Sequence, residues 1–181
     1  MIVVEGMDNS GKTTLVSRLR FAMGASVIKS CGPQEDYKDL FLWTRQQLER
    51  PNTRPLYIYD RFTIISDPIY SPVIRDKNPF FEHPEGRLLI EEFLRQEPLI
   101  IYCNPGLERI TKFGKRAQME GVIENAEELF EKYEEMVRYL RAKGGHVKNF
   151  DYSSWGDTRE VGISVVEYIR SRLEKGGSFN G

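Results

Sequence analysis

The stretch that most constrains the fold lies near the start of the chain and reads Gly6-Met7-Asp8-Asn9-Ser10-Gly11-Lys12-Thr13-Thr14. It fits the phosphate-binding pattern G-x-x-x-x-G-K-[ST]. A short apolar run, residues 1–4, precedes it, and apolar residues at helical spacing follow it from Leu15 onward. Because a phosphate loop joins a buried parallel strand to a helix, this context predicts an α/β domain that binds a nucleoside triphosphate.

The chemistry of this loop depends on its glycines, which let the backbone curl so that successive N–H groups point at phosphate oxygens. Lys12 is expected to reach the β- and γ-phosphates, and the Thr13 hydroxyl is expected to ligate Mg²⁺. The residues predicted to bind ATP are Gly6, Asn9, Ser10, Gly11, Lys12, Thr13 and Thr14.

Composition and net charge limit the classes of protein to which the chain can belong. The 181 residues are 40% hydrophobic and 29% charged, which is typical of one globular domain. A net charge of −1 gives no overall basic field to attract nucleic acid or an anionic membrane. Cys31 and Cys103 fit neither a zinc spacing nor a disulfide framework, and the first apolar run is too short for a membrane span. We therefore expect reduced thiols, no membrane segment and a cytoplasmic setting.

Strand-like and helix-like patterns alternate along the chain, which predicts a mostly parallel sheet covered by helices. Expected strands are 1–5, 26–30, 56–59, 99–103 and 146–150, and expected helices are 12–23, 35–50, 85–96, 105–112, 125–143 and 158–175. Three prolines within residues 66–83 predict that this segment is largely irregular. A single domain over 1–175 and a frayed tail over 176–181 are expected.

Functional side chains are expected just after the strands, because ligands bind at the carboxyl ends of a parallel sheet. Asp60 and Arg61 follow the third predicted strand. The carboxylate of Asp60 could hold Mg²⁺ or orient the attacking oxygen, and Arg61 could clamp an acceptor phosphate. A surface ion pair in a turn is the alternative interpretation.

A cluster of cations follows the fourth predicted strand, around Gly114. Its members are Arg109, Lys112, Lys115 and Arg116. Cations beside a glycine hinge are typical of a lid that closes over transferring phosphates, here predicted over residues 109–121. The alternative interpretation is that these cations form a solvent-exposed helix face with no catalytic role.

Aromatic side chains that could stack on a base are Phe41, Trp43 and Tyr70, although each could belong to the core and Phe41 fits the core better. After the fifth predicted strand, Tyr152 and Trp155 could flank an adenine, and a capped turn explains that stretch equally well.

Three motifs together resemble the thymidylate-kinase-like branch of the P-loop nucleoside monophosphate kinases. The first, running from Glu5 through the phosphate loop, is similar to that branch's E-G-x-D-x-x-G-K-[ST]-T. The second, Asp60-Arg61-Phe62 followed by Ser66 and Tyr70, is similar to its D-R-[YF]-x-x-S-x-x-Y, with three residues in each gap where the pattern has two. The third, residues 107–115, resembles the helix that leads into its lid.

The resemblance implies a three-layer α/β/α fold with a five-stranded parallel sheet in the order 2-3-1-4-5. It also implies Mg²⁺-dependent transfer of the ATP γ-phosphate to a nucleoside monophosphate. By the same resemblance Asp8 would contact the acceptor sugar, Asp60 the Mg²⁺ or acceptor phosphate, and Arg61 the acceptor phosphate. The partners it implies are small-molecule nucleotides, and it is compatible with a homodimer.

The chain departs from the family's pattern at several positions. Ser10 occupies the place where some relatives carry a catalytic Arg, so the cation for the transition state is expected from Arg109, Lys115 or Arg116. Ser71 stands where a base-reading Gln is expected. These differences do not change the predicted reaction type, but they leave the identity of the acceptor's base undetermined.

The resulting hypothesis is an ATP- and Mg²⁺-dependent kinase whose acceptor is a nucleoside monophosphate, with a pyrimidine deoxynucleotide preferred. One alternative is a kinase acting on a nucleoside, or on a hydroxymethylated base in DNA, as some bacteriophage kinases of similar build do. A nucleotide-dependent switch is the other, and against it the chain carries no guanine-reading N-K-x-D or T-K-x-D sequence.

Overall fold

The computed structural model of the chain describes residues 1–50, 56–112 and 121–175. Its strands are β1 (Ile2–Glu5), β2 (Ser26–Lys29), β3 (Tyr57–Asp60), β4 (Leu99–Cys103) and β5 (His146–Phe150). Its helices are α1 (Lys12–Met23), α2 (Tyr37–Leu48), α3 (Thr63–Arg75), α4 (Pro79–Glu82), α5 (Pro84–Arg95), α6 (Leu107–Lys112), α7 (Ala126–Ala142) and α8 (Trp155–Lys175).

The five strands form one parallel sheet in the order β2-β3-β1-β4-β5, which confirms the predicted fold class. The central strand β1 is buried along its whole length, and so is β4 beside it. Near-continuous apolar strands of this kind are typical of a sheet that is covered on both faces.

Helices cover the sheet with two separate cores. The larger core joins residues of α2, α3, α5 and α7 to one set of sheet residues, among them Val3 and Ile100. The smaller core joins α1 and α8 to the alternate residues, including Ile2 and Ile101. Because successive strand residues point to opposite faces, the two cores are the two outer interfaces of a three-layer α/β/α domain.

The expectation of an irregular segment over residues 66–83 is wrong. Helix α3 runs through Pro68 and Pro72, and the short helix α4 follows it. Each internal proline removes one helical hydrogen bond, which disfavours a helix in an isolated peptide. Every residue from Thr63 to Ser71 is buried, however, so packing against the larger core outweighs that local cost.

Both cysteines are free thiols, with Cys103 buried at the end of β4 and Cys31 partly buried two residues after β2. Among the helices of the described ranges, none combines the length and the apolar character that crossing a lipid bilayer requires.

Candidate active site

A cavity of about 860 Å³ opens along the carboxyl edge of the sheet. Residues at the end of β3 and after β2, β1 and β5 line it, including Asp60, Ser30, Asn9 and Tyr152. This edge is where open parallel sheets bind their ligands, because loops and helix N-termini converge there. The cavity therefore lies where the sequence predicts the functional residues.

The phosphate loop forms one part of the cavity lining. Five of its predicted ATP-binding residues are on the wall: Asn9, Gly11, Lys12, Thr13 and Thr14. The remaining two, Gly6 and Ser10, do not line the cavity. A Cβ on Gly6 would lie 2.4 Å from the carbonyl oxygen of Cys103 and 2.8 Å from Ser10 Oγ, so Gly6 and Ser10 make up the tightly folded back of the loop.

Gly11 serves a second purpose at the front of the loop. Its φ of +88° is in the left-handed region, and an added Cβ would come within 2.8 Å of Tyr152 Cδ1. Only glycine lets the Tyr152 ring approach the phosphate loop this closely. Tyr152 is thereby placed beside the loop, where the sequence predicted a side chain that could flank an adenine.

Lys12 is buried at the start of α1. Its Nζ donates to the carbonyl oxygen of Met7 at 2.5 Å and lies 4.0 Å from Asp8 Oδ1. Burial, followed by repulsion from Arg61, lowers the pKa of Lys12 from 10.5 to about 8. Because nearby carboxylates do not fully offset these effects, an anionic ligand in the cavity would stabilise the charged form of Lys12.

The turn between β3 and α3 is held by a buried carboxylate that the sequence analysis did not single out as a site residue. Glu5, 1% exposed, accepts a hydrogen bond from the Phe62 N–H at 2.6 Å and one from the Tyr133 hydroxyl at 3.3 Å. Burial raises the pKa of Glu5 to about 7, although the Arg61 charge and the Phe62 N–H both favour the ionised form. Glu5 thus ties the end of β1 to the segment that carries Asp60 and Arg61.

Arg61 occupies a left-handed backbone conformation, with φ of +67°, which is uncommon for a residue other than glycine. Its Nη2 donates to Asp8 Oδ1 at 2.5 Å and to the Tyr70 hydroxyl at 3.2 Å. The guanidinium also lies over the Tyr70 ring, 5.0 Å from its centroid. The structure therefore brings together three of the predicted acceptor-binding residues, Asp8, Arg61 and Tyr70, all of which line the cavity.

Helix α3 contributes lining residues that sequence reasoning missed, chiefly Asp67 and Arg75. The sequence did carry a signal for them, since Asp67, Ser71 and Arg75 are spaced by four residues and share one helix face. That spacing has meaning only if the segment is helical, and its prolines predicted the opposite. Arg18 on α1 and Lys29 at the end of β2 also line the cavity without having been predicted.

Phe41 does not line the cavity, so its candidacy as a substrate-binding residue is wrong, and the core position that the sequence favoured for it is confirmed. It is 1% exposed and belongs to the larger core, with its ring centroid 5.3 Å from that of Phe80. The cause is its position on the inward face of α2, next to the buried residues Leu40 and Thr44.

Two cations of the predicted lid, Arg109 and Lys112, are within the described residues, and neither lines the cavity. Arg109 bonds to the loop after β5. Its Nη1 donates to Asp151 Oδ2 at 3.1 Å and contacts Ser153 Oγ, in the loop that also carries Tyr152. Lys115 and Arg116 lie outside the described residues, and so do most of the predicted lid and the predicted tail.

The cavity lining provides oxygen ligands of the kind that Mg²⁺ binds. No cluster of three or more His, Cys, Asp or Glu side chains forms a metal site within residues 1–50, 56–112 and 121–175. Mg²⁺ in nucleotide sites needs no such cluster, because substrate phosphates supply part of its shell beside one or two protein oxygens. Thr13 and Asp60 both line the cavity and provide those oxygens, so the residues fit this mode of binding.

The charge of the lining differs from that of the whole chain. Its cations are Lys12, Arg18, Lys29, Arg61 and Arg75, and its carboxylates are Asp8, Asp60 and Asp67. Cations therefore outnumber carboxylates here, although the chain as a whole has a net charge of −1. A positive cleft in a neutral protein favours an anionic ligand at that place.

Comparison with known proteins shows that solved structures share the fold of this chain. No protein-family model matches the chain, and no curated protein does. The YorR protein of Bacillus subtilis, solved in complex with phosphorylated GDP, is 20% identical with a TM-score of 0.70, and the match covers 97% of each chain.

Two further solved structures are similar. Deoxyadenosine kinase from M. mycoides with bound dATP is 21% identical with a TM-score of 0.55, over 96% of this chain and 98% of that one. Thymidylate kinase from Candida albicans is 15% identical with a TM-score of 0.59, over 93% and 91%. At such identities the likeness shows the fold: the chain has the P-loop kinase fold that the sequence resemblance implied.

Proposed function

We propose that the protein is an ATP- and Mg²⁺-dependent kinase that transfers the γ-phosphate to a nucleoside monophosphate, with a pyrimidine deoxynucleotide as the preferred acceptor. The observation that carries this proposal is the cavity at the carboxyl edge of the sheet, whose lining joins the phosphate loop to the acceptor-side residues Arg61 and Tyr70. The fold shared with nucleotide and nucleoside kinases supports it. Preference for a pyrimidine deoxynucleotide rests on the sequence resemblance.

Each residue has a role in positioning or charge neutralisation, which carry most of the rate in phosphoryl transfer. The loop N–H groups and Lys12 would hold the donor phosphates. Arg61 would hold the acceptor phosphate in line, with its guanidinium oriented by Asp8 and Tyr70. Tyr152 would cover the loop on the donor side. Thr13 and Asp60 would hold Mg²⁺, which when bound neutralises charge on the phosphates.

Arg61 already has a carboxylate partner, so acceptor binding would change its surroundings. The ion pair between Arg61 and Asp8 uses one nitrogen of a group that has five N–H donors. The other donors remain for an acceptor phosphate, and Asp8 is then close enough to contact the acceptor sugar. This arrangement is the reason for assigning Asp8 and Arg61 to the acceptor rather than to ATP.

The test is a coupled assay of ADP release with ATP and Mg²⁺ across deoxynucleoside monophosphates, deoxynucleosides and an oligonucleotide. Steady ADP formation that depends on an added monophosphate is the expected result. ADP formation without any acceptor, or none with any of them, would contradict the proposal.

A nucleoside acceptor is the second candidate, and a specific observation favours it. Asp8 pairs with Arg61 at 2.5 Å, so the charge of Arg61 is compensated before any acceptor phosphate arrives. A nucleoside needs no such phosphate clamp, and Asp60 could then accept the proton of the sugar hydroxyl. Faster transfer to deoxynucleosides than to their monophosphates in the same assay would select this candidate.

A further inference from the structure

Helix α7 carries a tyrosine that lies behind the acceptor side of the cavity. Tyr133 is fully buried and does not line the cavity, whereas Tyr70 and Arg61 do. Its ring stacks on that of Tyr102 in β4, with the centroids 5.7 Å and the planes 14° apart. It also meets the Tyr70 ring edge to face, with the centroids 6.0 Å apart. Rings from two other elements therefore fix the position of the Tyr133 side chain.

The hydroxyl group of Tyr133 holds one oxygen of a buried carboxylate. It donates to Glu5 Oε2 at 3.3 Å, while Glu5 Oε1 accepts the Phe62 N–H at 2.6 Å. Because each oxygen has its own donor, the carboxylate cannot turn without breaking a hydrogen bond. Phe62 directly follows Arg61, so this carboxylate anchors the backbone from which the Arg61 side chain extends.

Arg61 needs such an anchor, because its backbone has a φ of +67°. That conformation costs free energy in a residue other than glycine and persists only where the surrounding structure holds it. The guanidinium is held separately, since Nη2 donates to the Tyr70 hydroxyl at 3.2 Å and the group lies over the Tyr70 ring. Tyr133 contacts both supports: Glu5, which holds the backbone, and Tyr70, which holds the guanidinium.

We propose that Tyr133 is a positioning residue for Arg61: through Glu5 and Tyr70 it fixes the direction in which the guanidinium meets an acceptor phosphate. This inference rests on the proposed function and adds to it a residue that does not touch the nucleotide. A guanidinium clamp is effective only when its parallel N–H groups point at the phosphate oxygens, so its orientation affects the rate of transfer. The alternative role for Tyr133 is packing alone, which needs its ring and not its hydroxyl group.

The first test removes the hydroxyl group and keeps the ring. In Tyr133→Phe both ring contacts remain, so the fold should be retained, with circular dichroism as the check. We expect kcat/KM for the acceptor monophosphate to fall about tenfold, while KM for ATP stays near the wild-type value. Tyr139→Phe, on the same helix with its ring against Phe81, is the matched control and should change neither. No change in Tyr133→Phe, or an equal loss on the donor and acceptor sides, would overturn the proposal.

A double-mutant cycle with Arg61 asks whether the hydroxyl group acts through that residue. Adding Tyr133→Phe to Arg61→Ala should lower kcat/KM for the acceptor by less than about twofold, because the group to be positioned is already gone. A further loss near tenfold in the Arg61→Ala protein would contradict the proposal.

The same cycle on stability does not depend on activity. Urea unfolding gives the midpoints of the wild type, Tyr133→Phe, Arg61→Ala and the double variant. We expect the shift of the double variant to differ from the sum of the two single shifts, since coupled residues are not additive. Additive shifts would overturn the inference, whether or not the protein transfers phosphate. Coupled midpoints without transfer to any acceptor would contradict the proposed function and confirm the support of Arg61 by Tyr133.

Discussion

The phosphate loop and helix α3 line the same cavity, but the chain builds them by different means. In the loop, residues close in sequence are close in space: Gly11 precedes Lys12, and the Lys12 ammonium bonds back to Met7. Helix α3 takes its shape from distant partners, because Glu5 holds the turn before it and the larger core buries its first nine residues. We therefore expect the donor side to depend on single local residues, and the acceptor side on contacts across the fold.

Replacing Lys12 should give the largest effect. Lys12→Ala removes the cation inside the phosphate loop and should abolish phosphoryl transfer with the fold intact. Losing a preorganised charge at the transferring phosphate costs on the order of 3 kcal/mol of barrier or more, over a hundredfold in rate. Steady-state turnover measures it, with circular dichroism as the check on folding.

Lys77→Ala, at an exposed position two residues after α3, is the matched control for Lys12. A Lys12→Ala protein with normal circular dichroism and more than a tenth of wild-type turnover would contradict the donor-side assignment.

The long-range support of α3 can be tested through pH. Because the pKa of Glu5 is raised by burial from 4.5 to about 7, the folded state binds this proton more tightly than the unfolded state. Its contribution to stability is full below pH 4.5 and is lost as pH rises through 7, about 3 kcal/mol in all. Glu5→Gln should remove that dependence.

Urea unfolding of wild type and Glu5→Gln at pH 5 and pH 8 measures this difference. We expect the wild-type free energy of unfolding, relative to that of the variant, to fall between the two values. Glu131→Gln, on the exposed face of α7, controls for loss of a carboxylate. A constant difference would show that Glu5 does not hold its proton near neutral pH.

Arg61→Ala should weaken the acceptor side more than the donor side. The change removes a charge-assisted contact to the acceptor phosphate and the bond to Asp8, so we expect an acceptor KM or kcat worse by roughly tenfold to a hundredfold. ATP affinity without acceptor, measured by titration calorimetry, should stay near the wild-type value. Loss of ATP binding to the same extent would place Arg61 on the donor side or in the fold.

Arg61→Lys retains the charge and loses the second parallel hydrogen bond, so it should recover only part of the activity. Arg87→Ala, exposed on α5, controls for removal of an arginine.

The smallest effect is expected at Arg109. Arg109→Ala should lower kcat several-fold and leave the affinity for each nucleotide nearly unchanged, as for a group that acts after closure. Stability should change little, because the ion pair with Asp151 is exposed. An unchanged kcat would contradict a catalytic role for Arg109 and favour the alternative, that it belongs to a solvent-exposed helix face.

Asp151→Asn separates two explanations of an effect at Arg109. If Arg109 acts by holding the loop that carries Tyr152, the Asp151 variant should reproduce the loss of kcat. If Arg109 meets the phosphates, Asp151→Asn should leave kcat nearly intact. The same measurement on Lys115→Ala and Arg116→Ala tests the rest of the predicted lid.

The sequence by itself determined the parallel sheet and the phosphate loop, because both leave local patterns. Short apolar runs end at Glu5, Asp60 and Cys103, and a glycine-rich loop followed by a helix needs no distant partner to be recognised. Asp60, Arg61 and Tyr70 were also predictable as cavity residues, from one motif and the rule that ligands bind at strand ends.

The tertiary structure alone determined which residues of α3 line the cavity opposite the phosphate loop. Pro68 and Pro72 predicted an irregular segment, yet burial in the larger core makes it a helix, and only that helix brings Asp67 into line with Arg75. Phe41 likewise fits a base or a core by type, and packing against Phe80 places it in the core. Local propensities are worth a few kcal/mol at most, so burial summed over many distant contacts can reverse them, and one chain's sequence pattern does not contain that sum.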